Sequence, residues 1–177
     1  MSRIREIRAG AGDDVVDMTS PRFVYEGSGV TIYGGSGDDT VWANQGSSRL
    51  YGDAGNDRLV GGENDDIIVG GSGNDSLHGG GGSDAFFFGG DFGVDTVSQL
   101  GDGSVTLFFE SENVRWNEKE QCWSDGKNKV FISGNFNVEV AFAPGEEFAE
   151  IPGIFEESVT ANIFEAEISV NLCQKSS

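Results

Sequence analysis

Residues 70–78 read GGSGNDSLH. Gly70, Gly71, Gly73 and Asn74 favour turns, one carboxylate follows at Asp75, and one apolar residue, Leu77, stands two positions later. Glycine resists both helix and strand, so in isolation the stretch looks like a linker. A linker has no reason to recur at fixed spacing, and this one does. From residue 34 the chain divides into GGSGDDTVW, ANQGSSRLY, GDAGNDRLV, GGENDDIIV, GGSGNDSLH and GGGGSDAFF, ending at 87. Position 4 is Gly37, Gly46, Gly55, Asn64, Gly73 and Gly82. Asparagine tolerates a left-handed backbone better than most residues, so Asn64 also suits a turn. Position 6 is Asp39, Ser48, Asp57, Asp66, Asp75 and Asp84, and position 8 is apolar throughout: Val41, Leu50, Leu59, Ile68, Leu77 and Phe86.

A period of nine is neither helical nor that of a simple strand. It fits a six-residue turn followed by a three-residue strand whose middle side chain points inward. Two units make one flattened coil of 18 residues. Stacked coils form parallel strands, with turns lined up along both edges. One inward residue per nine is little apolar burial for the chain it must order. The stacked turns also carry Asp38, Asp39, Asp53, Asp57, Glu63, Asp65, Asp66, Asp75 and Asp84 against only Arg49 and Arg58. Positive charge is needed between the turns. Glycine exposes backbone carbonyls and aspartate adds a hard oxygen, and an all-oxygen cage of this kind suits calcium.

The 177-residue chain as a whole has 30 acidic and 11 basic residues, a net charge of −19. That sign repels nucleic acid and anionic lipid and attracts cations. Cys122 and Cys173 share no short spacing, which argues against a disulfide framework or a zinc site. His78, the single histidine, sits at the solvent-facing position 9 and cannot build a transition-metal site alone. The start, MSRIREIRAG, has no apolar core of a cleavable signal, and no apolar run reaches membrane-spanning length. These features fit a cytosolic protein, export by a route without such a signal, or a fragment of something longer. Residues 80–85 formally fit G-x-G-x-x-A, but no long helix follows and the context is a repeat. Neither H-E-x-x-H nor G-x-S-x-G occurs, so no enzymatic activity is expected.

The repeats resemble G-G-x-G-x-D-x-U-x, the RTX (repeats-in-toxin) calcium-binding nonapeptide. The resemblance implies an all-β fold, a parallel β-roll with a C-terminal antiparallel capping region. It also implies several calcium ions held between turns on the same edge, one coil apart. The earlier turn would offer carbonyls of positions 2 and 4 and its position-6 carboxylate. The later turn would offer carbonyls of positions 1 and 3 and its own carboxylate. One site would then use Gly35, Gly37 and Asp39 with Gly52, Ala54 and Asp57. A second would use Asp53, Gly55 and Asp57 with Gly70, Ser72 and Asp75, Asp53 through its carbonyl only. On the opposite edge, Gly62, Asn64 and Asp66 would meet Gly79, Gly81 and Asp84, while Ser48 removes a carboxylate from the site before.

Looser units flank the array. AGAGDDVVD (9–17) would pair Gly10, Gly12 and Asp14 with Gly34, Ser36 and Asp39, with about seven residues around 18–24 bulging out. YEGSGVTIY (25–33) keeps the turn and Ile32 but has Val30 for the carboxylate. GDFGVDTV (90–97), after a two-residue slip, would bring Gly90, Phe92 and Asp95 to Gly71, Gly73 and Asp75. The roll is thus expected over 9–97 and a β-rich cap over 98–143, with 144–177 unassigned. In the cap, 104–110 and 138–142 read as strands and 121–132 as a hairpin turning at Asp125-Gly126. Phe86, Phe87, Phe88, Phe92, Phe108 and Phe109 are expected to pack at the junction, an aromatic ligand groove being the lesser alternative. SVTANIFEAEISVNL (158–172) reads as a further strand. The resemblance further implies a secreted or cell-surface bacterial protein exported by type I secretion machinery. The parent would be a toxin, an adhesin or a surface-layer protein, or the module would be the accessory part of a secreted hydrolase. A glycan- or protein-binding adhesin tip is the third reading.

Overall fold

The computed structural model describes residues 4–20, 29–100, 103–134 and 136–142. The bulge expected near 18–24 therefore lies partly, and 144–177 wholly, outside the described residues. Among these the fold is all-β, without a helix. In chain order the strands are β1 (Glu6–Ala11), β2 (Val15–Asp17), β3 (Thr31–Ser36), β4 (Thr40–Trp42), β5 (Arg49–Ala54), β6 (Arg58–Val60), β7 (Ile67–Ser72) and β8 (Ser76–His78). They continue as β9 (Asp84–Phe88), β10 (Val94–Ser98), β11 (Ser104–Phe109), β12 (Arg115–Asn117), β13 (Cys122–Ser124), β14 (Lys129–Ser133) and β15 (Asn137–Phe142).

From β1 to β11 the strands alternate between two sheets, as an 18-residue coil of two nonapeptides requires. One sheet has seven strands in the order β1-β3-β5-β7-β9-β11-β15, all parallel. The other has eight, in the order β12-β13-β14-β10-β8-β6-β4-β2. The register carries position 8 straight up the stack. Ile32, Leu50, Ile68, Phe86 and Leu107 are successive partners in one sheet, and Val41, Leu59, Leu77 and Val97 stand in line in the other. All are buried, and the two columns fill the space between the sheets. The roll is therefore a parallel β-solenoid whose core is one side chain wide on each sheet.

Two departures come at the C-terminal end. The region 98–143 was expected as an antiparallel cap, yet β11 and β15 extend the seven-stranded sheet in parallel register, and β14 pairs parallel with β10. Antiparallel pairing is confined to β12–β13–β14, with the turn between β13 and β14 at Asp125-Gly126. The cause is the apolar inward face of β11. Val105, Leu107 and Phe109 are fully buried, so β11 continues the column that Phe86 and Phe88 begin. The aromatic residues do gather here: Phe88 packs on Phe92 and Phe109, and Phe109 on Trp123. Phe87 and Phe108 instead stack on each other off the central column, their ring centres 4.6 Å apart.

Candidate metal centre

Left-handed backbone at positions 2 and 4 shapes the turns of one edge and the Gly80–Gly82 turn of the other, whereas Gly46, Gly62 and Asn64 do not adopt it, contrary to the expectation for Asn64. Along one edge Gly35, Gly37, Gly55, Gly71 and Gly73 all have φ between 104° and 138°. A Cβ on Gly55 would fall 2.0 Å from the Gly37 carbonyl oxygen, so glycine is needed for conformation and for space. Asp53 is the exception at position 2, with φ of 73°, a conformation that aspartate tolerates better than most side chains.

This tight stacking sets up a ladder of carboxylates. The backbone N–H of Asp14 donates to Asp39 Oδ1 at 2.7 Å, that of Asp39 to Asp57 at 2.7 Å, that of Asp57 to Asp75 at 2.8 Å, and that of Asp75 to Asp95 at 2.8 Å. On the opposite edge Ser48 N–H donates to Asp66 Oδ1 at 2.6 Å and Asp66 N–H to Asp84 at 2.8 Å. Position 5 runs a second ladder in the reverse sense. Asp38 N–H donates to Asp13, Asn56 N–H to Asp38, and Asn74 N–H to Asn56. Neighbouring turns are thus held in both directions.

The ladders use only one oxygen of each position-6 carboxylate. Oδ2 of Asp14, Asp39, Asp57, Asp75, Asp84 and Asp95 is buried without a hydrogen-bond donor. These oxygens converge on carbonyls of the following turn. Asp39 Oδ2 and the Gly52 carbonyl both crowd the point where Gly34 would carry a Cβ. Asp57 Oδ2 and the Gly70 carbonyl do the same above Gly52, and Asp66 Oδ2 and the Gly79 carbonyl above Gly61. The Asp39 and Asp57 cradles therefore gather acceptor oxygens and supply no proton donor between them, whereas Asp66 Oδ2 also accepts the Gly62 N–H. Burial pushes the carboxyls of Asp57, Asp75 and Asp84 up to about 6, Asp66 to about 7 and Asp95 to about 8; accepted backbone hydrogen bonds oppose the rise. A buried polar atom without a partner costs about 1–3 kcal/mol, and more if charged. A hard cation is the partner that this donor set fits, and carboxylate plus carbonyl oxygen is calcium chemistry.

The structure joins the expected residues unevenly. Asp14, Asp39, Asp57, Asp75 and Asp95 stand in one ladder, with Gly10, Gly35, Asp53 and Gly71 in register beside them. The carbonyls of Ser36, Ala54 and Ser72 accept the Gly12, Gly37 and Gly55 amides at 2.7, 2.9 and 2.9 Å, which leaves each a second lone pair for a cation. The opposite edge is more self-satisfied. Gly62 N–H donates to Asp66 Oδ2, the Gly62 carbonyl accepts Gly81 N–H, and Asn64 reaches the Gln45 carbonyl. Val30 and Ser48 end the carboxylates there, Val30 joining the apolar core. Gly90 does not take the place of Gly52 or Gly70: its N–H donates to Glu110 and its carbonyl accepts from Asn128. The slip after Phe88 turns it towards the C-terminal strands. Phe92 places its side chain in the core.

Gln99 was not expected. It is buried, its Nε2 donates to the Gly82 carbonyl, and its Oε1 has no donor. That oxygen shares the point above Gly79 with Asp84 Oδ2, where the preceding coils place a glycine carbonyl. Nothing in the 18-residue spacing singles out residue 99. No group of three or more His, Cys, Asp or Glu side chains converges among the described residues. The cradles are linear stacks in which backbone carbonyls supply much of the oxygen.

A parallel roll with carboxylate-and-carbonyl turns defines a class of calcium-binding repeat. The family model of the RTX calcium-binding nonapeptide repeat (4 copies) matches residues 33–67 and 60–97. Those segments are RTX repeats, a type of calcium-binding module typical of secreted bacterial proteins. No curated protein and no solved structure matches the chain.

Proposed function

We propose that this chain is a non-enzymatic, calcium-folded structural module of a secreted or cell-surface bacterial protein, exported by type I machinery. The observation that carries the reading is the set of buried Oδ2 atoms facing carbonyls with no donor between them. Calcium, when bound, supplies the positive charge that these oxygens lack. The residues that would hold it are Asp39 with Gly52, Asp57 with Gly70, and their equivalents along both edges. Extracellular modules bind calcium at about 10⁻⁴–10⁻³ M, far above cytosolic levels. The repeats then stay open inside the cell and close outside, because metal binding and folding are one event. No helix among the described residues is long and apolar enough to cross a membrane.

The test is a calcium titration followed by far-UV circular dichroism, with magnesium as control. A cooperative gain of β signal at about millimolar calcium, absent with magnesium, is expected. Full β structure in chelator, unchanged by calcium, would overturn the reading.

A further inference from the structure

The second edge ends on a residue that breaks the glycine pattern. In the register of β8 and β10, Leu77 stands beside Val97 and His78 beside Ser98, so the next pair is Gly79 and Gln99. Gln99 thus takes position 1 of its coil, where the preceding turns of this edge have Gly61 and Gly79. A side chain at position 1 points into the roll, as buried Ala43 does. Gln99 is accordingly only 8 % exposed.

Its amide is held in one orientation. Nε2 donates to the Gly82 carbonyl at 3.1 Å, and turning the amide over would set Oε1 against that carbonyl, acceptor to acceptor. Oε1 is left buried with no donor, and so is Asp84 Oδ2. The two oxygens lie 2.0 and 2.1 Å from the point where Gly79 would carry a Cβ, which sets them no farther apart than the two lengths combined. Buried oxygens this close are costly unless a proton donor or a cation stands between them. A calcium ion at about 2.3–2.6 Å from each bridges such a gap, and a glutamine amide oxygen is among its usual ligands. The other edge gives a contrast. Above Gly70 the three nearest atoms all belong to Asp75, and the Gly90 turn that follows is bonded to Glu110 instead.

We propose that Gln99 Oε1 and Asp84 Oδ2 hold a further calcium ion, with a side-chain amide in place of the backbone carbonyl that serves the cradles above Gly34, Gly52 and Gly61. The assignment rests on the reading that the cradles take calcium, and it adds a site beyond the last nonapeptide of the array. Gln99 directly follows β10 and begins the connection to β11, so this ion ties the C-terminal strands to the roll.

The probe is calcium chloride, and the measurement is equilibrium dialysis against the full chain at neutral pH. Gln99→Leu removes the ligand and is expected to bind one ion fewer than the wild type. Gln99→Glu gives up the bond to Gly82 but keeps an oxygen in place and adds a charge, so it is expected to retain the full count. If Gln99→Leu does not fold in saturating calcium, Gln99→Glu decides, because a second buried carboxylate beside Asp84 is tolerated only around a cation. A folded Gln99→Glu chain with the full count then supports the proposal, and an unfolded one overturns it. A full count in Gln99→Leu would overturn the proposal and leave the other cradles standing. One ion lost in both variants would overturn it too, since Gln99 would then act only through Gly82. A wild-type chain that binds no calcium would remove the wider reading as well.

Discussion

Asp57 shows how one side chain serves two purposes. Its Oδ1 accepts the Asp39 amide, a hydrogen bond that holds neighbouring coils in register. Its Oδ2 faces the Gly70 carbonyl with nothing to donate. Asp57→Asn separates the two roles. The amide oxygen still accepts from Asp39, and the amide nitrogen now donates towards Gly70. The metal-free roll should therefore gain β structure, while the calcium midpoint should rise by about tenfold or more as one charged ligand is lost. Circular dichroism against calcium concentration reads both effects. An unchanged midpoint would remove Asp57 from the cradle. This residue was legible from its spacing, since one carboxylate every 18 positions on the same edge leaves few other readings. Gln99 was not, because its contribution depends on where the last coil places a long side chain, and no period encodes that.

At the scale of the edges, the carboxylates act as stacks with a shared response to pH. Asp57, Asp75 and Asp84 titrate at about 6, Asp66 at about 7 and Asp95 at about 8, all above the 3.8 of an unfolded aspartate, chiefly through burial. With folded values raised, the unfolded chain binds fewer protons than the roll between those limits, so stability falls as pH rises. In chelator the contribution is fully present below about pH 4 and disappears as pH climbs through 6 to 8. Far-UV circular dichroism in chelator at pH 5 and pH 8 should show more β structure at pH 5. Calcium needs the ionised carboxylates, so its apparent affinity should move the other way over the same window. The strands themselves were legible where one face is buried. Position 8 announced the two columns of inward residues in the array, though not Ala43 at position 1, and Asp125-Gly126 announced the β13–β14 turn. The parallel docking of β11 and β15 was not legible, because local alternation identifies a strand without identifying its neighbour. The slip at Gly90 depended likewise on contacts with Glu110 and Asn128, which come from later in the chain.

At the scale of the whole molecule, the described residues form a short rod. Seven strands at about 4.8 Å spacing give a length near 30 Å, and each coil touches only the coils above and below. The calcium-dependent part and the aromatic end divide the work of stability. The turns are held by hydrogen bonds, to which calcium would add on the proposed reading, and the end is held by apolar contact among Phe88, Phe92, Phe109 and Trp123. A core substitution tests how far a coil depends on its neighbours. Leu59 is fully buried between Val41 and Leu77, so Leu59→Ala should cost about 2–5 kcal/mol in saturating calcium, read by denaturant unfolding. A loss well under 1 kcal/mol would mean that the coils hold by their edges alone.

The inequality of the two edges also fixes the unit in which such a chain can grow or shrink. Five carboxylates line one side and two the other, so a single nonapeptide is not interchangeable with the next. Excising residues 52–69 removes one rung and leaves every later segment on its own side, with Asp39 meeting Asp75. Excising only 52–60 is the smaller cut, yet it transposes left and right for the rest of the chain. Asp66 would stand on the side that Asp39 begins, and the aromatic run of β9 would face away from the strands that receive it. The longer excision should therefore keep a cooperative thermal transition in calcium, and the shorter one should abolish it. Duplication of such a gene segment can lengthen the rod only in even steps.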